Sequence, residues 1–405
     1  MNSKEEIIDY LNRLPVRYGR EDFDRFAKKS RLSLSCPSVH LVGSNGKTAT
    51  ALYLSSILAS AAIKVGTLTN DLFLSPLSAI SVNGVAISDG DFLSLFRANE
   101  KLYGKFGLSR YEILVDIAVR YFEQEGVDIA VLESTLGGSI DATFWQEEGM
   151  RLLVLTSLSL EHTDYLGTTI SQIALNKIDG LSGEASLLCC ELDEDTMKAV
   201  REYAKDMGSP VLVADAYHFP RLVAGKYHFD FLANKDLMIP SEAEYLIRDA
   251  CLAIQAATAP CLGLAVSQEA IYNGLSTCLI PAALERRGEV VFDDADNPAA
   301  IDLLIVSFPA ASHGRPIEVL FACEKDKNIA LILPALGNAA EGITLTTYPG
   351  PNVRGEAGMM LYAGDYPFLP DPIAAFRQLK TDHPEATILI TGSKAFVAFM
   401  KRELP

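Results

Sequence analysis

The sequence is short of positive charge, and it has neither a membrane-length apolar run nor a C-x-x-C cysteine pair. Lys and Arg total 35 against 52 Asp and Glu, a formal charge of -17. A surface of that sign repels nucleic acid phosphates, so no nucleic acid partner is expected, although a local basic pocket for a small anion remains compatible. Residues 1–7 contain no apolar signal core, so export is not expected. The most apolar helical stretch, residues 51–63, is too short to span a bilayer and carries Ser55, Ser56 and Ser60. Seven cysteines are scattered along the chain without C-x-x-C spacing, as reduced and mostly buried thiols of a cytoplasmic protein would be. No internal repeat, low-complexity tract or coiled-coil heptad is present.

What is present is a chain of 405 residues, 49% apolar, enough for two domains with sizeable cores. Short apolar runs alternate with helical periodicity. The spacing predicts buried strands over residues 39–42, 129–132, 152–156, 186–190 and 211–213, with helices over 48–63 and 113–124. That alternation predicts an α/β fold with a doubly wound sheet. Residues 282–288 resemble a linker, and a second α/β series follows. The expected domains are therefore 1–284 and 285–405.

The clearest motif is Gly43-Ser44-Asn45-Gly46-Lys47-Thr48, lying between a strand and a helix. Glycines let the backbone approach a ligand, and exposed N–H groups at a helix start form an anion cradle. Lys47 would reach terminal phosphates and Thr48 could position a metal or a phosphate. The loop is shorter than G-x-x-x-x-G-K-[ST], because position 41 is Leu.

A second apolar strand delivers Glu133 to the ligand-binding end of the sheet, followed by Gly137-Gly138. A carboxylate there can hold Mg²⁺ directly or through water. A third strand leads to Leu160-Glu161-His162-Thr163-Asp164. His162 at that place suits a metal or phosphate role, whereas a lone histidine is more often structural. Lys177 ends an amphipathic helix, where a lysine can simply complement the helix dipole.

Together these stretches resemble the folylpolyglutamate synthase/dihydrofolate synthase family of Mur-like ligases. The family's H-V-A-G-T-N-G-K-G-S is matched from His40 to Ala49, and its V-L-E-V-G-L-G-G-R-L-D-A-T-N from Val131 to Phe144. L-D-H-T-D-x-L-G is matched from Leu160 to Gly167, E-K-A-G from Asn176 to Asp179, and F-E-x-L from Tyr111 to Leu114. Later, Asp293 to Pro298 resembles D-G-A-H-N-P, Lys325 to Ile329 the D-K-D segment, and Ile390 to Ser393 the v-T-G-S strand.

The resemblance implies a large Mur-ligase-like ATP-binding domain with a mostly parallel sheet, a smaller C-terminal α/β domain, and an active site in the cleft. It implies that ATP phosphorylates the carboxylate of a folate or dihydropteroate, and that glutamate's amine then displaces phosphate to form an amide. Carried over, Gly43, Ser44, Asn45, Gly46, Lys47, Thr48, Asp249 and Asp293 bind ATP. Glu133, His162, Asn70 and a carbamylated Lys177 hold Mg²⁺. Lys47, Lys177 and His162 serve catalysis, and Ile140, Asp141 and Ala142 line the pterin pocket. A monomer is implied as well.

The chain also departs from the family. Asn70 stands for a metal-binding Ser, and Asp71-Leu72-Phe73 and Ser78-Ala79 replace the P-H-L and E-R segments. Asp249 stands for an Asn of the adenine region, Ala283 for an Arg, Asp294 for a Gly and Asp296 for a His. Arg286 or Arg287 is a candidate replacement for the missing Arg. These changes leave open a Mur-like ligase with another acceptor acid, or a nucleotide-binding homologue without catalysis.

Overall fold

The computed structural model describes residues 3–15, 19–70, 76–146, 148–350 and 352–404. The chain divides into two compact units, one of Met1–Phe219, Phe229–Met238 and Arg248–Cys278, the other of Pro220–His228, Ile239–Ile247 and Leu279–Pro405.

In the first unit, α1 (Lys4–Arg13) and α2 (Glu21–Ser30) precede β1 (Ser38–Val42), α3 (Lys47–Ser60) and β2 (Val65–Leu68). Next come β3 (Ile80–Val82), β4 (Val85–Ala86), α4 (Asp89–Phe106), α5 (Arg110–Glu125), β5 (Ile129–Glu133) and β6 (Met150–Leu155). The series continues with α6 (Thr163–Leu166), α7 (Ile170–Ile178), β7 (Ser186–Cys189), α8 (Glu194–Asp206) and β8 (Val211–Val213). Their sheet has the order β4-β3-β2-β5-β1-β6-β7-β8. It is parallel from β2 to β8, with β3 and β4 added antiparallel at one edge.

The central strands are apolar because helices cover both faces of a parallel sheet. Every residue of β1 and β5 is buried. The β1 register pairs Leu41 with Glu133 of β5 and Val42 with Leu155 of β6. The loops leaving these three strands therefore emerge side by side.

A three-stranded sheet follows, ordered β11-β10-β9 from β9 (His218–Val223), β10 (Lys226–Phe231) and β11 (Asn234–Ile239), its residues divided between the units. Then come α9 (Leu246–Ala257) and α10 (Gln268–Thr277). α10 lies hard against α3. A Cβ at Gly274 would come within 2.5 Å of Ile57 Cα, and Ser56 donates a hydrogen bond to the Gly274 carbonyl at 2.7 Å.

The second unit contains β12 (Glu285–Arg287), β13 (Val290–Phe292), α11 (Pro298–Ala311), β14 (Ile317–Phe321), α12 (Ile329–Gly337) and β15 (Gly342–Leu345). It closes with α13 (Glu356–Met360), α14 (Pro372–Asp382), β16 (Thr387–Thr391) and α15 (Lys394–Glu403). The order β12-β13-β16-β14-β15 is parallel except for β12. Part of the stretch that reads as a linker is thus ordered, since Glu285–Arg287 forms an edge strand antiparallel to β13. The architecture is the α/β class the alternating pattern predicts, a large mostly parallel sheet and a smaller second one. Among the described residues no helix is long and apolar enough to cross a membrane.

Candidate active site

The loop after β1 is shaped by backbone that side chains disfavour. Gly43 and Gly46 have φ of +142° and +85°, and a Cβ at Gly43 would lie 2.0 Å from Thr156 Oγ1. Neighbouring residues after β6 clamp the loop. Ser44 N–H donates to the Ser157 carbonyl at 2.7 Å, Asn45 N–H to Ser157 Oγ at 3.1 Å, and Thr156 Oγ1 to the Asn45 carbonyl at 2.8 Å. Gly46 caps α3 without a side-chain acceptor, which leaves the helix start open to an anion. Lys47 folds back on the loop, donating to the carbonyls of Gly43 at 2.8 Å and Ser44 at 2.9 Å. Thr156 and Ser157 carry no motif of their own. Their one sequence signal is that they follow directly on a buried strand.

Thr48 opens onto Glu133. Its hydroxyl is 2.9 and 3.0 Å from the two carboxylate oxygens, and Asn70 N–H donates to Glu133 Oε2 at 3.0 Å. The loop, Glu133 and the main chain of Asn70 therefore converge. A hydroxyl and a carboxylate together beside a phosphate cradle form a donor set suited to Mg²⁺, a hard cation that completes its shell with phosphate oxygens and water. Among the described residues no three His, Cys, Asp or Glu side chains gather closely enough to hold a metal by themselves. Residues Asp71 to Phe73, where the chain departs from the family, lie outside the described residues.

Lys177 is fully buried at the end of α7. Its amine donates to the Gly43 carbonyl at 3.0 Å and the Leu136 carbonyl at 3.2 Å, and pairs with Glu161 Oε1 at 2.9 Å. Burial pushes the Lys177 amine down, against the pull of Glu161. Burial pushes the Glu161 carboxyl up, but the charges of Lys177 and Lys47 outweigh it and hold the group well below the usual carboxylate range. Glu161 is a residue that motif reading passed over. The signal available was its place beside His162. His162 itself is half-buried and starts α6 with a left-handed backbone, φ +46°.

Ile140, Asp141 and Ala142 line a small pocket together with Thr135, Leu136, Ser109, Tyr111, Glu112 and Gly19. Asp141 is also a local staple. One of its carboxylate oxygens accepts from Thr135 N–H and Oγ1 at 2.8 and 2.7 Å, the other from Thr143 N–H and Oγ1 at 3.0 and 2.7 Å. Tyr111 ties the pocket to the end of β5 by donating its hydroxyl to the Glu133 carbonyl.

Asp249 touches the loop from α9: a Cβ on Gly46 would meet its Oδ1 at 2.2 Å. Burial pushes its carboxyl up to about 7, with Arg248 opposing. In the second unit, Asp293 accepts from Tyr245 Oη at 2.6 Å, Leu284 N–H at 3.1 Å and Ala295 N–H at 3.0 Å, and burial pushes it up to about 6 despite these bonds. Asp296 forms an ion pair with Lys327 at 2.6 Å. Arg286 contacts Glu242 at 3.3 Å and donates to the Ala311 carbonyl, while Arg287 donates to the Lys401 carbonyl at 3.1 Å.

The first unit thus joins a short glycine loop between strand and helix to a carboxylate on the adjacent strand, and the chain carries a second, smaller α/β sheet. No family model matches the chain. The sequence is 27% identical over 393 residues to dihydrofolate synthase/folylpolyglutamate synthase of Bacillus subtilis, covering 90% of each chain. It is 24% identical over 398 residues to the enzyme of that name from Escherichia coli, covering 96% of this chain and 92% of the other. The fold is that of E. coli FolC in complex with DHPP and ADP (TM-score 0.87, 23% identity, 100% and 98% coverage). It is also that of Mycobacterium tuberculosis folylpolyglutamate synthase complexed with ADP (TM-score 0.88, 23% identity, 98% and 97% coverage). Over most of its length the chain is similar to enzymes named dihydrofolate synthase/folylpolyglutamate synthase.

Proposed function

We propose that this protein is an ATP-dependent acid–amino-acid ligase that joins glutamate to a folate or dihydropteroate through an acyl phosphate. The observation that carries the reading is the contact of Thr48 with Glu133 at the open start of α3, next to the Ile140–Ala142 pocket. The loop amides around Ser44–Thr48 hold the triphosphate, and Lys47 leaves the Gly43 and Ser44 carbonyls to meet the terminal phosphates. Glu133 and Thr48, together with Asn70 and His162, would hold Mg²⁺, which when bound supplies charge neutralisation for phosphoryl transfer.

The acid's carboxylate oxygen attacks the γ-phosphorus and ADP leaves. Glutamate's amine then attacks the acyl carbon, phosphate leaves and the amine loses its proton. Ile140, Asp141 and Ala142 orient the acid so that its carboxylate faces Lys47, and Asp249 and Asp293 serve the nucleotide. Structures bound to ADP with DHPP, or to AMPPNP, Mn and L-glutamate, are known for relatives of the same fold, which supports these ligands. A cytoplasmic monomer working on small molecules completes the reading.

The test is ADP release with dihydropteroate or tetrahydrofolate plus glutamate. Turnover with either, dependent on both acid and amine, is expected. ATP binding without turnover on either acid would overturn it.

A further inference from the structure

Strands β1 and β6 go on pairing past their ends. Val42 stands opposite Leu155. Beyond them Thr156 N–H donates to the Val42 carbonyl at 2.9 Å and Ser44 N–H to the Ser157 carbonyl at 2.7 Å. Ser157 N–H reaches the Asn45 carbonyl only at 3.4 Å, and here two hydroxyls take over from the main chain. Ser157 Oγ accepts from Asn45 N–H at 3.1 Å and donates to the Asn45 carbonyl at 3.0 Å, using the donor and a lone pair that a serine offers. Thr156 Oγ1 reaches the same carbonyl at 2.8 Å, in space that Gly43 leaves by having no Cβ. The result is a division among the amides of the loop. Those of Ser44 and Asn45 are taken by Ser157. Those from Gly46 to Ala49 begin α3 and have no partner inside the helix, whose first bond runs from Thr50 N–H to the Gly46 carbonyl at 2.9 Å.

We propose that Ser157 is a positioning residue whose hydroxyl fixes the Asn45 peptide, so that the turn holds its phosphate-binding shape before nucleotide arrives and leaves the anion to the amides that open α3. A turn ordered in advance spares the ligand the entropy of ordering it. Thr156, fully buried, supports the same peptide from the other hydroxyl. The proposal rests on the reading of the loop as an ATP site and narrows its cradle, but the clamp itself is measurable with no nucleotide present.

The experiment follows amide hydrogen exchange at residue resolution in the full chain, without and with ADP, and measures ADP affinity by titration calorimetry. In wild type without nucleotide, the Ser44 and Asn45 amides are expected to exchange slowly and those of Lys47 and Thr48 quickly, and ADP is expected to slow the latter pair. Ser157→Ala, shown to be folded by thermal melts, is expected to speed exchange at Asn45 and to weaken ADP, each by about tenfold. Ser157→Thr keeps the hydroxyl and is expected to stay within about threefold of wild type in both. Should Ser157→Ala not fold, Thr156→Val, which removes the second hydroxyl at nearly constant shape, is held to the same two readouts. Wild-type Asn45 exchanging as fast as Lys47 overturns the proposal. So does a folded Ser157→Ala in which either readout stays within about twofold of wild type. Failure of ADP to slow Lys47 and Thr48 in wild type would instead count against the ATP reading and leave the result at Asn45 standing.

Discussion

Asp249 places a carboxyl against the glycine loop proposed to hold the triphosphate. Gly46 admits it only because glycine has no Cβ. Its ordinary value of 3.8 is pushed up to about 7 by burial. In the unfolded chain the group ionises near its ordinary value, and in the fold only near 7. The neutral form thus adds nothing to the folding balance at low pH, and a penalty grows as pH rises between the two values and stays constant above the upper one. Asp249→Asn should therefore melt like wild type near about pH 4 and be more stable by a few kcal/mol at about pH 8. Nucleotide affinity, followed by titration calorimetry, should weaken in wild type from about pH 6 to about pH 8 and stay flat in the variant. Parallel pH profiles would show that Asp249 is not the titrating group.

Glu133 is the other side chain whose loss has a definite direction. Both its oxygens accept from the loop and from Asn70. Glu133→Gln turns one acceptor into a donor facing other donors and removes the charge proposed to draw Mg²⁺. ADP release should fall by about a hundredfold or more. A loss under about threefold would take Glu133 out of the chemistry.

Helix α5 links secondary structure to the pocket proposed for the acid. Ser109 and Glu112 form a capping box, with Ser109 N–H donating to Glu112 Oε2 at 2.6 Å and Glu112 N–H to Ser109 Oγ at 3.4 Å. The same turn carries Tyr111, and all three residues line the pocket. Ser109→Ala should cost about 1 kcal/mol in urea unfolding. It should also raise KM for the acid more than KM for ATP, because the frayed turn faces the acid's pocket. Equal rises in both would place the acid elsewhere. The strands of the site behave differently. Uniform burial of β1 and β5 leaves little local variation for a cap or turn to tune.

For the entire chain, the charge of -17 opposes the approach of anionic nucleotide and anionic folate alike. Salt screens repulsion between charges beyond about 10 Å at ordinary ionic strength. Stopped-flow association of a fluorescent ATP analogue should therefore quicken severalfold between about 20 mM and about 200 mM salt. A slowing would show that Lys47, Lys177 and Arg248 dominate the local field over the acidic surface.

Elements set by local pattern were readable from the chain. The apolar run of β8 is observed over the residues expected, and β1, β5, β6 and β7 differ from expectation by one or two residues at an end. The glycine loop was equally plain, since positive φ and a free helix start follow from residue type. Contacts between residues far apart in the chain were not. Glu161 meeting Lys177, Asp249 resting on Gly46, Tyr111 reaching the Glu133 carbonyl, and Thr156 and Ser157 clamping the loop all depend on strand order and register. Hydrophobic period is the same for any order of strands, so it carries no record of which loops will be neighbours. Local composition thus specified the strands, the cradle and its glycines. The folded sheet, by laying β5, β1 and β6 side by side, specified which charges face one another there.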